Sequence, residues 1–189
     1  LYIFAYGSLV NQFSRSFTYK VEDAIPVIVD GFIRSWSELS YSKAGISPLV
    51  AHKGEGTCNG VLIPVSEEHL HFFDLRERNY KRVRVSSSQI LTLNKLPLPL
   101  KKTIWIYIED KVNLTQKSTH SFIFQTYLDT VLAGFLSISV KFANFFMHST
   151  SGWKPIHNDR LNPLYSNYDS NSKMQIKLID QVINDFKMI

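Results

Sequence analysis

Glu77 has the strongest claim to chemistry in this 189-residue chain. It sits in Phe72-Phe73-Asp74-Leu75-Arg76-Glu77-Arg78-Asn79-Tyr80-Lys81-Arg82-Val83. Leu70, Phe73 and Glu77 are spaced i, i+3, i+7, so they share one helical face, and the two apolar residues make it the buried face. A carboxylate at the end of that face is partly desolvated, which raises its pKa and makes it a better base. The same spacing fits a helix-end glutamate paired with Arg76, Arg78 or Arg82, and the residues alone leave both readings open. Ser66 is the expected N-cap of this helix, with Glu67 and Glu68 in a first turn where the helix dipole favours acids. Asn79 marks its end, and Tyr80 to Val85 alternates as a strand does.

A second feature lies at the start of the chain. Leu1-Tyr2-Ile3-Phe4-Ala5-Tyr6 reads as a buried strand that stops at Gly7-Ser8-Leu9-Val10. Asn11 is placed to cap a short helix reaching about Phe17. A strand, a glycine turn and a helix start expose backbone N–H groups that can hold a carboxylate or an oxyanion. Gly7 permits a positive φ and close approach of a ligand. Gly-Ser turns also follow strands with no function attached. No Gly-Lys-Ser/Thr follows, so this is not a nucleotide-binding P-loop.

The elements that would position these residues can be read in order. Ala24 to Trp36 is strand-like, with Gly31 at a bulge or close contact. Leu39-Ser40-Tyr41 and Pro48-Leu49-Val50-Ala51 read as short strands, Lys53 to Thr57 as a flexible turn, and Asn59 to Val65 as a buried strand feeding the Glu77 helix. Strands follow near Tyr80–Val85, Gln89–Leu93 and Thr103–Ile108, with Pro97-Leu98-Pro99 breaking the pattern between the last two. From about Thr119 the period becomes helical. Phe122, Tyr127, Val131, Leu132 and Phe135 fit one long helix, and Ser139 to Met147 a second, whose aromatics suit a core. Met174 to Phe186 reads as an amphipathic C-terminal helix. Strands followed by helices argue for one α+β domain over residues 1–189, with a helical C-terminal extension from about 119.

Composition narrows the partners. The net charge of +5 comes from basic residues scattered along the chain except around Glu77, which is not the dense basic face of a dedicated nucleic-acid binder. Cys58 is the only cysteine, so there is no intramolecular disulfide and no zinc spacing. A reducing, cytoplasmic setting is expected. No signal peptide is visible, and no apolar run is long enough to span a bilayer.

Phe4-Ala5-Tyr6-Gly7-Ser8-Leu9 and, about seventy residues on, Asp74-Leu75-Arg76-Glu77-Arg78-Asn79-Tyr80 form an ordered pair of motifs. Together they resemble the γ-glutamylcyclotransferase-like superfamily. Gly31-Phe32-Ile33-Arg34-Ser35-Trp36 and Asn59-Gly60-Val61-Leu62 look like strands of the same family. The resemblance covers roughly residues 1–110. Asn158-Asp159-Arg160, Pro163 and Tyr165 look like an extension present in some members. Arg78 departs from the pattern, because many relatives carry Gly after the Glu. There it would narrow the pocket or pair with Glu77.

The resemblance implies a mixed β-barrel with flanking helices and a pocket at one mouth. It implies cyclisation of a γ-glutamyl amide to 5-oxoproline with release of an amine or amino acid. Glu77 would be the base, and the turn at Tyr6, Gly7, Ser8 and Leu9 would bind the substrate. Tyr80 would share in that binding or, like Tyr6, merely pack the barrel. Arg160 would reach a substrate carboxylate or close a structural salt bridge. No metal or organic cofactor is implied, and the expected partner is a small γ-glutamyl molecule, not nucleic acid or membrane. A non-catalytic binding module on the same fold is the alternative. The leaving group and the oligomeric state stay open.

Overall fold

The structure is a computed structural model describing residues 1–19, 23–38, 45–94, 101–110, 121–170 and 173–187. The first strand, β1 (Tyr2–Ala5), lies in the middle of a mixed sheet. It runs antiparallel to β3 (Leu49–Pro64) and parallel to β6 (Ile104–Glu109). β2 (Ile25–Trp36) pairs antiparallel with β3, and β4 (Tyr80–Val85) with β6. The path β4-β6-β1-β3-β2-β5 ends at β5 (Ile90–Leu91), and β8 (Thr150–Ser151) joins β2 in parallel. A second, two-stranded sheet pairs β7 (Ile123–Phe124) with β9 (Ile156–His157).

The fold is α+β with flanking helices, as expected, but the barrel is not closed. β4 and β5 are the two ends of the path and do not pair among the described residues, so the sheet is a curled half-barrel. β1 and both ends of β3 bury consecutive residues, so both faces of the sheet are covered there, and buried side chains form one cluster from Ile3 through Phe73 and Leu128 to Ile183.

Glycines explain two features of the long hairpin. Gly31 has φ +81, and the β2–β3 register shifts between Asp30 and Phe32, so the expected bulge is present. Lys53 to Thr57 is not a flexible turn. It is the middle of β3, which runs unbroken for 16 residues. A Cβ on Gly54 would come within 2.7 Å of Ile33, and one on Gly56 within 3.1 Å. These glycines make room for a neighbouring side chain within the sheet.

Ser66 does not cap the backbone. Its Oγ instead meets His69 Nδ1 at 2.6 Å, and a single 3-10 turn, Glu67–His69, precedes α2 (Leu70–Arg76). α1 (Gln12–Ser16) is capped as expected, by Asn11 accepting from Ser14 N–H. A 3-10 turn, Ser87–Gln89, occupies the start of the strand expected near Gln89–Leu93.

The helical region starts later than Thr119, which lies outside the described residues. Phe122 forms an isolated bridge with Ile46, and α3 (Gln125–Leu136) begins only after β7. Its start is set by a distant residue: Asp159 accepts from Thr126 N–H at 2.9 Å and Thr126 Oγ1 at 2.5 Å. α4 (Val140–Ser149) is capped by Ser139, and α5 (Lys173–Lys187) buries Ile179, Val182 and Ile183. Leu39-Ser40-Tyr41 and Pro97-Leu98-Pro99 lie outside the described residues.

Candidate active site

Glu77 is the C-cap of α2. Its N–H donates to Phe73 C=O, and its own C=O accepts from Tyr80 N–H, both at 2.8 Å. The residue is thereby held by its backbone between helix and strand. Phe73 is fully buried beneath it, so the shared face inferred from spacing is real. The Glu77 side chain is 18% exposed and opens into a cavity of about 390 Å³, mouth included. Among the described residues its carboxylate accepts no hydrogen bond; Arg76 Nε stands 3.6 Å from Oε1. Burial raises its pKa, and the Arg76 charge opposes that rise without cancelling it.

The opposite wall is the end of β1 and the 3-10 turn after it, Ser8–Val10. Val10 N–H donates to Gly7 C=O at 3.0 Å and Asn11 N–H to Ser8 C=O at 3.1 Å. The N–H groups of Gly7, Ser8 and Leu9 stand at the open start of that turn, where a helix has no internal acceptor for them. Gly7 has φ −134, so the expected positive φ is not used. What glycine supplies is space: a Cβ there would touch Tyr127 Oη at 3.5 Å and Leu49 at 3.6 Å, both in the cavity wall.

Several contacts fix the turn from behind. Asn11 Nδ2 donates to Thr130 C=O at 3.0 Å, and Arg15 Nη1 to Val10 C=O at 2.8 Å. Gly134 of α3 packs so close that a Cβ would lie 2.5 Å from Asn11 N. Gly60 allows β1 equally close to β3, since a Cβ would lie 2.1 Å from Ala5 O. Arg34, fully buried in β2, donates through Nη1 to Tyr6 C=O at 3.1 Å and Asn59 C=O at 2.7 Å. Its partners are neutral oxygens, and burial lowers its pKa to about 10.

Tyrosines close the cavity. Tyr6 Oη donates to Tyr107 C=O at 2.7 Å, and Tyr80 Oη to Leu49 C=O at 3.1 Å. Tyr127 Oη accepts from Leu49 N–H at 3.4 Å, and burial pushes its pKa up, so it keeps its proton. Tyr6, Gly7, Ser8, Leu9, Glu77 and Tyr80 therefore line one cavity, as the motif pair implies.

Arg160 does not join them. It donates to buried Asp129 at 2.7 and 2.8 Å and to Asp180 at 2.7 and 3.1 Å. These bonds tie α3 to α5, and Arg160 lies outside the cavity lining, so its geometry favours the salt-bridge alternative. Arg78 is exposed and outside the lining, so it neither narrows the pocket nor pairs with Glu77. The rest of the basic run is dispersed: Arg82 binds Asp74 at 2.8 Å, and Arg82 and Arg84 lie over the Trp105 ring.

Leu49, Tyr107 and Tyr127 were not legible as site residues. Tyr127 falls on an apolar helical face, where a hydroxyl is the single sign of another role. Arg34 was visible as part of a family-like strand, but its reach to Tyr6 joins residues 28 apart in sequence.

The profile of the family described as "Gamma-glutamyl cyclotransferase, AIG2-like" matches residues 3–124. Among solved structures, an uncharacterized protein from Homo sapiens superposes with TM-score 0.61 at 13% identity, over 95% of this chain and 97% of that one. A protein titled "Gamma-glutamyl cyclotransferase" gives 0.57 at 13%, over 95% and 98%. YkqA from Bacillus subtilis gives 0.56 at 16%, over 80% of this chain and 56% of that one. At such identities the likeness is one of fold. No curated protein sequence matches the chain.

Proposed function

Because this chain belongs to the AIG2-like gamma-glutamyl cyclotransferase family, we propose that it cyclises a γ-glutamyl amide to 5-oxoproline and releases an amine or amino acid. One observation carries the reading: a part-buried carboxylate with no hydrogen bond among the described residues lines the same cavity as the turn of Gly7, Ser8 and Leu9.

The chemistry suits that arrangement. The substrate's α-amine attacks its own γ-carbonyl, so the pocket's main task is to hold the chain bent. Glu77 takes a proton from the α-ammonium, because only the free amine is a nucleophile. Negative charge then develops on the former carbonyl oxygen, where the N–H groups of Gly7, Ser8 and Leu9 stabilise it. As the C–N bond to the leaving amine breaks, Glu77 passes that proton to the departing nitrogen, and the attacking nitrogen gives up its second proton to the same amine, which leaves as an ammonium beside 5-oxoproline. Atoms balance without water, and the enzyme ends as it began. Tyr6 and Tyr80 shape the walls through their bonds to the backbone. The single buried thiol, Cys58, supports a cytoplasmic setting.

The test is to incubate the protein with γ-glutamyl compounds that differ in leaving group and measure 5-oxoproline and released amine together. Equal amounts of both are expected for at least one compound. Binding without product would favour a non-catalytic module.

A further inference from the structure

Arg76 stands behind the cavity rather than in its lining. Its Nη1 donates to Ser14 C=O and Thr18 Oγ1, both at 2.7 Å, and its Nη2 to Ser14 Oγ at 3.0 Å and Ser8 Oγ at 3.3 Å. Its Nε is the group 3.6 Å from Glu77 Oε1. One planar cation therefore touches the base, the anion turn and the segment that follows it. The guanidinium is rigid, so fixing one edge on Ser14 and Thr18 fixes the other edge against Glu77.

The geometry also shows what this pair is not. A stability-driven bridge would be bidentate and short. Here the terminal nitrogens go to neutral oxygens, and Glu77 receives a charge but no hydrogen bond from Arg76. Both carboxylate oxygens stay free for a substrate proton, with the Arg76 charge 3.6 Å from one of them.

We propose that Arg76 is a positioning residue for the reaction: one guanidinium, anchored on Ser14 and Thr18, holds the Ser8 turn by a hydrogen bond and sets a fixed positive charge beside the Glu77 carboxylate, and so orients the base relative to the turn. The inference rests on the reading of Glu77 as base. Its electrostatic consequence follows from the same contact. The nearby positive charge opposes the effect of burial and keeps more of the base ionised.

The test compares Arg76→Lys, which keeps the charge and loses the fork, with Arg76→Met, which loses both. Carboxyl carbon-13 titration gives the Glu77 midpoint, its signal assigned with Glu77→Gln. Turnover of a γ-glutamyl amide gives kcat and KM across pH. Arg76→Met is expected to raise the Glu77 midpoint, and the acid limb of kcat with it, while Arg76→Lys leaves both near wild type. Both variants should lose about 10–10²-fold in kcat from misplacement of the base, with a smaller change in KM. A midpoint unmoved in folded Arg76→Met overturns the assignment, whatever the activity. Wild-type kcat in both variants above the midpoint does the same. If Arg76→Met fails to fold, kcat of Arg76→Lys decides. If wild type turns over no γ-glutamyl compound, the proposed reaction falls, and the midpoint alone decides whether Arg76 governs Glu77.

Discussion

Glu77 shows how a residue's neighbours decide its chemistry. Burial raises its pKa above that of the unfolded chain, so the folded state holds the proton more tightly. The linkage sign follows: the ionised carboxylate costs stability above its folded pKa, and the cost vanishes where both states are protonated. Glu77→Gln should therefore be more stable than wild type at neutral pH. The difference should close below about pH 4, where the unfolded carboxyl is also protonated. Urea denaturation at several pH values measures this; a variant less stable at neutral pH would show that the charge is well compensated. Gly7 makes a second point. A Cβ there meets its neighbours at ordinary contact distance, 3.5–3.7 Å, but takes space in the cavity. Gly7→Ala should fold, with KM raised by about tenfold or more if roughly 1.4 kcal/mol of binding is lost. Unchanged KM would place the substrate away from this turn. Glu77 and the turn were legible because short-range pattern encodes them: a helical period in one case, a strand that stops at glycine in the other. Arg76 was legible only as one of three candidate partners, because its bonds to Ser8, Ser14 and Thr18 depend on how distant elements meet.

Elements were legible where their periodicity is local and were misread where a partner overrides it. β1, β2, β4 and α5 match their patterns closely. Gly54 and Gly56 suggested a turn, but they sit beneath Ile33 in an unbroken strand. Phe122 suggested helix, but Asp159, about thirty residues later, fixes the start of α3. The ion pairs of Arg160 belong to this scale. Asp129 is fully buried, so removing its cation leaves a charge with no counter-ion. Arg160→Met should cost about 3 kcal/mol, the lower end expected for breaking a buried pair when one side chain remains partly exposed. KM for the substrate should stay at its wild-type value. Thermal melts and steady-state kinetics separate the two roles, and a raised KM in a fully stable variant would return Arg160 to the binding site.

At the scale of the molecule, the pocket depends on elements far from it. The turn that carries Gly7 is backed by α3, and α3 is tied to α5 through Asp129, Arg160 and Asp180. Trp36 of β2 meets Trp153 at 5.5 Å between ring centres, and Trp153 meets Phe186 of α5 at 5.1 Å. We therefore expect residues 1–189 to unfold as one unit, with tryptophan fluorescence and far-ultraviolet circular dichroism tracing the same urea curve. Two separated transitions would divide the sheet from the helical extension. Single-unit unfolding would join the sheet, which the motifs implied as a barrel and the structure leaves open, to the helices legible only as apolar periods.

If Glu77 is the base of a γ-glutamyl cyclisation, kcat of Glu77→Gln will show it. Gln is nearly isosteric, so packing on Phe73 is kept, but it cannot take the ammonium proton. Using a γ-glutamyl compound that wild type converts to 5-oxoproline, the variant should lose about 10²–10⁴-fold in kcat. KM should change little, and wild-type kcat should fall with acid at a pH above the ordinary carboxylate range. Wild-type turnover in folded Glu77→Gln would mean that Glu77 is not the base.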